Sequence, residues 1–406
     1  MTNQILISFC VLLLIAYVFN ITSSKTKIPS VILLLLLGWL VKQITNYANI
    51  QLPDITPLLP LIGTIGLILI VLEGSLELEL NRSKLGLIKK SFWGALLPMA
   101  ILSFLLGFAF NFFGDFGLKD SLTNAIPFCI ISSAIAIPSV GNLSMHNKEF
   151  VIYESSFSDI LGVLLFNFFA LNETIGFASI GQFTFQLVII IIVSIVATFA
   201  LSILLSKIDH HIKFVPIILL VVLIYTVSKV YHLPGLIFIL LFGLTLNNLD
   251  EFKQFQWLEK FKPKELNEEV KKFRDLTIEG AFIIRALFFL IFGYLIESSE
   301  VINISTLPWA LVIVLSIFLL RAAQLKISKI SFQPLLFVAP RGLITILLFL
   351  SIEPTHKILI VNKSLIIQVI ILTALIMMFG LMMNKTNKVT DKIDQVNHNH
   401  PESSLT

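Results

Sequence analysis

Charge is scarce in this sequence: Asp, Glu, Lys and Arg make up 13 % of its 406 residues, while 56 % are hydrophobic. A soluble domain of that composition would expose adhesive surface everywhere, so lipid is expected to be the main solvent of the chain. Cysteine is nearly absent. Cys10 and Cys129 each sit inside an apolar run, where packing is expected rather than a disulfide or a metal site. A net charge of +4 leaves no basic excess for a nucleic-acid partner. Basic residues are also missing ahead of Lys25, and no small-residue cleavage motif follows the first apolar segment, Gln4 to Ile21. That segment is therefore read as a true span and not as a signal peptide.

What is there is a series of apolar runs of the length that crosses a bilayer, roughly 20 residues each. About thirteen spans are expected, at 3–21, 29–44, 57–76, 91–113, 124–143, 150–171, 184–206, 214–231, 234–248, 276–297, 305–325, 333–352 and 364–383. The fold class that follows is an all-α polytopic membrane protein. Charge bears on its orientation. Of 29 Lys and Arg, only Lys42, Lys119, Lys229, Lys357 and Lys363 fall in one alternate set of loops, and Arg285, Arg321 and Arg341 fall within spans. The rest occupy the other set, so the positive-inside rule places the N-terminus outside and the C-terminus in the cytoplasm of an inner-membrane protein. Residues 1–385 then form one transmembrane domain. The stretch 249–275 is its one long cytoplasmic connector, whose Phe252, Phe255, Trp257, Phe261 and lysines suit a helix lying on the membrane surface. The polar residues 386–406 read as a disordered tail, and its Asn-His-Asn-His run lacks the framework of a metal site.

Ionisable groups deep in a membrane pair with one another or face a water-filled cavity. The sixth span reads Glu154-Ser155-Ser156-Phe157-Ser158-Asp159. If it starts near Phe150, Asp159 lies about nine residues in, or roughly 14 Å, close to the bilayer midplane. Ser155 shares a helix face with Asp159, as Ser158 does with Glu154. A carboxylate flanked by hydroxyls offers hard oxygen ligands to a small cation, and the same carboxylate takes a proton when desolvation favours the neutral form. One site that holds either ion, but not both, is the minimum machinery for exchange. Glu154 and Arg321 lie at matching depth and are expected to form a structural ion pair, whose breakage would strand a charge. Arg285 and Arg341 remain as alternative compensators of Asp159 or Glu73.

Proline adds a separate signal. The fifth span is interrupted at Pro138, after Ser132-Ser133-Ala134-Ile135-Ala136-Ile137, and the twelfth at Pro340, before Arg341-Gly342. These spans stand seven apart and so run in opposite directions. That pattern predicts an inverted repeat, spans 4–6 against 11–13, whose broken helices cross near the ion site.

With these residues in place, the chain resembles the monovalent cation/proton antiporter superfamily along nearly its whole length. Val71-Leu72-Glu73-Gly74-Ser75-Leu76 is similar to the Phe-Glu-Gly-Gly-Leu stretch that ends the third span of sodium/proton exchangers. Glu154-Ser155 with Ser158-Asp159 resembles their Glu-Ser-x-x-Asn-Asp motif, with Ser158 in place of asparagine. Phe288-Phe289-Leu290-Ile291-Phe292-Gly293 resembles their tenth-span aromatic-glycine pattern, and Arg321 and Pro340-Arg341-Gly342 match two late arginine positions. The resemblance implies that Asp159 binds the transported Na+ or K+ and the proton in turn, that Glu154 pairs with Arg321, and that the protein is a homodimer in which a core domain moves against a dimer domain. It implies no cofactor. Two departures qualify it. The fifth span lacks the usual Thr-Asp-Pro, and its Ser132-Ser133-Ala134-Ile135 looks like the Ser-Ser-Thr-Ala of the potassium-efflux branch, so Na+ against K+ stays open. The single midplane carboxylate favours one cation per proton, an electroneutral exchange. The missing aspartate keeps a non-transporting sensor as the alternative. A membrane-embedded enzyme would need a second catalytic Asp, or a histidine within a span.

Overall fold

The structure, a computed structural model, describes residues 2–50, 54–79, 82–172, 176–207, 213–248 and 263–383. Its first four elements are continuous helices: α1 (Thr2–Thr26), α2 (Ser30–Tyr47), α3 (Leu58–Glu77) and α4 (Leu85–Gly114). A broken segment follows. In it α5 (Leu118–Ala125) passes into a 3-10 turn (Ile126–Phe128), the chain unwinds over 129–132, and α6 (Ser133–Ser139) resumes. The helices α7 (Met145–Leu171), α8 (Phe177–Lys207), α9 (Phe214–Val230), α10 (Leu236–Asn247) and α11 (Pro263–Leu295) come next, then the single turn α12 (Ser298–Val301) and α13 (Leu307–Ile327). The second broken segment runs from a 3-10 turn (Leu335–Phe337) through unwound residues 338–342 into α14 (Leu343–Ser351), and α15 (Lys363–Met383) closes the described chain.

The described residues therefore hold thirteen crossing segments in the expected order, two of them broken. Nine stretches, counting Leu118–Ser139 as one, are long and apolar enough to span alone. The helix α7 has the length but also carries Glu154 and Asp159, and α10, at 12 residues, covers only about 18 Å. The units α4, α5–α6, α7 and α13, broken segment, α15 share one plan: long helix, broken helix, long helix.

Three expectations need correction. The fifth crossing breaks at 129–132, ahead of Pro138, which lies within α6. The break falls there because the freed backbone finds partners on other elements: Ile131 N–H donates to Ser158 Oγ at 2.9 Å and Ser132 N–H to Pro340 O at 2.9 Å. Irregular backbone at membrane depth persists only where it is buried and bonded in this way. The fifth crossing also starts earlier than expected, at Leu118. Finally, 263–275 is no separate surface helix: α11 begins at Pro263 and is continuous into the tenth span. Its first turns are tied to α9 by a Lys213–Glu269 ion pair at 2.6 Å and by Phe214 against Phe273. Residues 249–262 and the tail from 386 lie outside the described residues.

Lipid offers little hydrophobic drive between helices, so close approach relies on small residues. A Cβ on Gly38 of α2 would stand 2.2 Å from Leu290 O, and one on Gly293 of α11 would stand 2.4 Å from Leu35 O. Two glycines thus bring these backbones into contact. By contrast, α1 and α8 turn large apolar side chains such as Leu6, Leu14, Ile192, Ile195 and Val196 outward.

Candidate functional site

The two unwound stretches meet at the centre of the bundle. Besides the Ser132–Pro340 backbone bond, Arg341 joins them: its Nε donates to Phe128 O at 2.6 Å, Nη1 to Ala339 O at 2.8 Å and Nη2 to Cys129 O at 3.4 Å. Those carbonyls are ones that a continuous helix would have paired, and a guanidinium answers their partial negative charge. Its backbone N–H goes to Thr373 Oγ1 on α15 at 3.1 Å. Gly342 permits the crossing, since a Cβ there would lie 2.7 Å from both Ser132 Oγ and Ile135 Cδ1.

Asp159 on α7 lies against this crossing, 1 % exposed. Ser133, the first residue of α6, donates its hydroxyl to Asp159 Oδ2. The other oxygen, Oδ1, is buried without a hydrogen-bond partner among the described residues, as are Ser132 Oγ and Ser156 Oγ. The two serines expected to flank the carboxylate are engaged elsewhere. Ser155 donates to Val151 O, one turn back, at 2.7 Å, and Ser158 Oγ accepts from Ile131 N–H. The hydroxyl that meets Asp159 comes across from the broken helix, from a residue that sequence reasoning had assigned to the helix break.

Glu154, 1 % exposed, sits nearer the end of α7 that carries Lys148. Arg321 of α13 contacts it through Nη1 and donates from Nε to Leu335 O at 3.1 Å. Gln324, which the sequence reading missed, completes the group: Nε2 donates to Glu154 Oε1 at 2.7 Å, and Oε1 accepts from Arg321 Nη1 at 2.9 Å. A polar residue three positions after an intramembrane arginine shares its helix face, and that spacing was the available signal. Glu73 of α3 faces Arg285 of α11 at 3.7 Å. The structure thus brings Ser132, Ser133, Asp159, Pro340 and Arg341 together, and it gives Arg285 to Glu73 and Arg341 to the broken-helix carbonyls rather than to Asp159. Pro138 stands apart from the break. No group of three or more His, Cys, Asp or Glu that would hold a metal ion occurs among the described residues.

The fold as a whole is similar to that of solved structures. The sodium proton antiporter MjNhaP1 from Methanocaldococcus jannaschii, in a structure at pH 8, is 19 % identical, with a TM-score of 0.65 over 94 % of this chain and 96 % of that one. A second structure of the same antiporter, from an electron-microscopy map, is 18 % identical, with a TM-score of 0.65 over 99 % and 100 %. At such identity the likeness establishes the fold. Among curated proteins no relative matches the chain. The family described as sodium/hydrogen exchanger, transmembrane, matches residues 10–385. That match covers nearly the whole described bundle, and the chain belongs to the transmembrane sodium/hydrogen exchanger family, a family of multi-pass transporters and not of enzymes.

Proposed function

We propose that this protein exchanges Na+ or K+ for protons by alternating access, and that Asp159 is the group the two ions share. The observation that carries the reading is the state of that carboxylate: buried, bonded through one oxygen to Ser133, and with Oδ1 buried and without a hydrogen-bond partner among the described residues. Buried polar groups are normally satisfied, so unspent oxygens at the crossing of two broken helices suit a ligand that comes and goes. Oxygen donors of this kind fit a small hard cation. Arg341 holds the crossing, and Glu154 with Arg321 and Gln324 fastens α7 to α13, so these groups act on the scaffold and not on the ion. A second copy of the chain is the expected partner, and the inner membrane is the expected location.

The test is proton movement in proteoliposomes loaded with a pH dye and challenged with Li+, Na+, K+ or Rb+. Cation-dependent proton flux is expected from the wild type and none from Asp159→Asn. Flux that persists in a folded Asp159→Asn protein would remove Asp159 from the site. A folded wild type that moves no proton with any cation would favour the sensor reading, which the missing fifth-span aspartate motivates.

A further inference from the structure

Of the two broken-helix faces, the one beside the α9–α10 turn contains a cavity of about 330 Å³. Thr64 of α3, Val163 and Asn167 of α7, Ser351 of α14, Lys229 of α9 and His232 of the turn are among its walls. Asp159, Val163 and Asn167 are spaced four apart and share one face of α7. The cavity wall at Val163 lies one turn, about 6 Å, from the level of Asp159, which itself does not line it, so an approach to Asp159 from that side would pass through this cavity. A smaller cavity of about 130 Å³ adjoins it, sharing Asn167 and His232 and adding Asn172, Gln182 and Gln186.

The charge on this approach has the wrong sign for a cation route. No carboxylate lines either cavity among the described residues, and Lys229 lines the larger one. No described residue makes an ion pair or hydrogen bond with Lys229 Nζ. The other titratable groups that line the larger cavity are Tyr225 and His232, and His232 lines the smaller one as well. Glu173, after Asn172, lies outside the described residues. A lysine in the last turn of α9 also suits the helix dipole, but that role does not require it to line the approach.

We propose that Lys229 is a charge barrier on this approach, one that weakens loading of the transported cation from the α9–α10 face. The inference rests on the cation/proton reading above. A fixed positive charge lowers the local concentration of every cation by one Boltzmann factor, roughly two- to five-fold for a partly screened charge at this range. Protons are depleted by the same factor. Where protons compete strongly for Asp159 the two effects cancel, and where they do not the cation KM rises. The barrier leaves the equilibrium of exchange unchanged; it keeps the site unsaturated from one face, so that a cation arriving from the other side is released here readily.

The experiment has an arm that does not depend on transport. Asn167→Cys, with Cys10 replaced by serine, is reacted in vesicles with a quaternary-ammonium methanethiosulfonate and with a neutral one. The ratio of the two rates is expected to rise roughly two- to five-fold on Lys229→Gln and further on Lys229→Glu, to stay unchanged on Lys229→Arg, and to lose its dependence on residue 229 near 1 M salt. In exchange assays, Lys229→Gln is expected to lower the cation KM from this face by the same factor at alkaline pH, to leave it unchanged at acid pH, and to spare the KM from the opposite face. A ratio that ignores the charge at 229 overturns the barrier whether or not the protein transports. A shifted ratio with an unshifted KM in an exchanging protein also overturns it, because the cation then takes another route. A wild type that exchanges no cation overturns the reading beneath the proposal, and the two failures are told apart by the thiol arm alone.

Discussion

Asp159 keeps one oxygen for Ser133 and one for nothing described, whereas Glu154 meets the guanidinium of Arg321 and the amide of Gln324 through Oε1. The two carboxylates stand on one helix, and this difference predicts different phenotypes. Asp159→Asn preserves shape and the Ser133 hydrogen bond, so the variant is expected to fold and insert as the wild type does while losing exchange entirely, measured as cation-driven proton flux. Glu154→Gln and Arg321→Gln each leave a buried charge without its partner and are each expected to cost about 3–5 kcal/mol. Since both single variants lose the same contact, the double variant is expected to lose less than their sum, and additive melting shifts across the four proteins would count against the pair. Depth along the spans made Glu154, Arg321 and Asp159 legible in the sequence. The Ser133 contact was not, because it depends on where a neighbouring helix breaks, and Gln324 was legible only through its spacing three residues after Arg321.

Helices and their order follow from hydropathy because a membrane span must pair its own backbone, so nearly every long apolar run becomes a helix. The location of a break carries no such signature. Pro138 marks a residue without an N–H, yet the chain unwinds where Ile131 and Ser132 exchange helical bonds for bonds to α7 and to the other broken segment, and that is a tertiary choice. The start of α11 was obscured for a related reason: its first turns are charged, and they are held by Lys213 and Phe214 of a different hairpin. Close packing of elements gives its own prediction. In Gly38→Ala the new methyl would meet backbone at 2.2 Å, which no rotamer change relieves, so α2 and α11 must separate at a cost of about 1–3 kcal/mol, read as a lower Tm. A second element-level test concerns the α3–α4 loop. Lys84 bonds Glu149 at 2.8 Å and Glu79 at 2.6 Å. Burial alone would lower its pKa, but these hydrogen bonds and charges prevail and hold the ammonium above the usual lysine range. A raised folded-state pKa contributes stability that is complete below the unfolded value, about 10.4, and is lost as pH rises through the folded one. The Tm gap between wild type and Glu149→Gln is therefore expected to hold steady from neutral pH to about 10 and to narrow in stronger alkali.

For the whole molecule, the charges fixed inside the membrane decide how many ions one cycle can move. Arg285, Arg321 and Arg341 are buried or nearly so, and a guanidinium does not release its proton in a protein, so none of them adds a second titrating group. Glu154 is committed to Arg321 and Gln324, and Glu73 faces Arg285. On the proposed reading, Asp159 is the carboxylate at the crossing that alternates between a proton and a cation. Each half-cycle then carries one positive charge across, in opposite directions, and exchange is expected to be electroneutral. The size of the alternative makes this a sharp test. A cycle that moved one net charge would be driven by about 2.3 kcal/mol per 100 mV, which is roughly fifty-fold in the equilibrium ratio of the two gradients. In vesicles with the membrane potential clamped, the pH difference at which net flux vanishes is expected to match the imposed cation gradient one for one and to stay put as voltage is changed. A balance point that moves with voltage, or a potential generated by the exchange itself, would show that a second titrating group takes part in each cycle. Glu73 would then be the first to replace, since its arginine stands at 3.7 Å, a looser contact than the hydrogen bonds that hold Glu154.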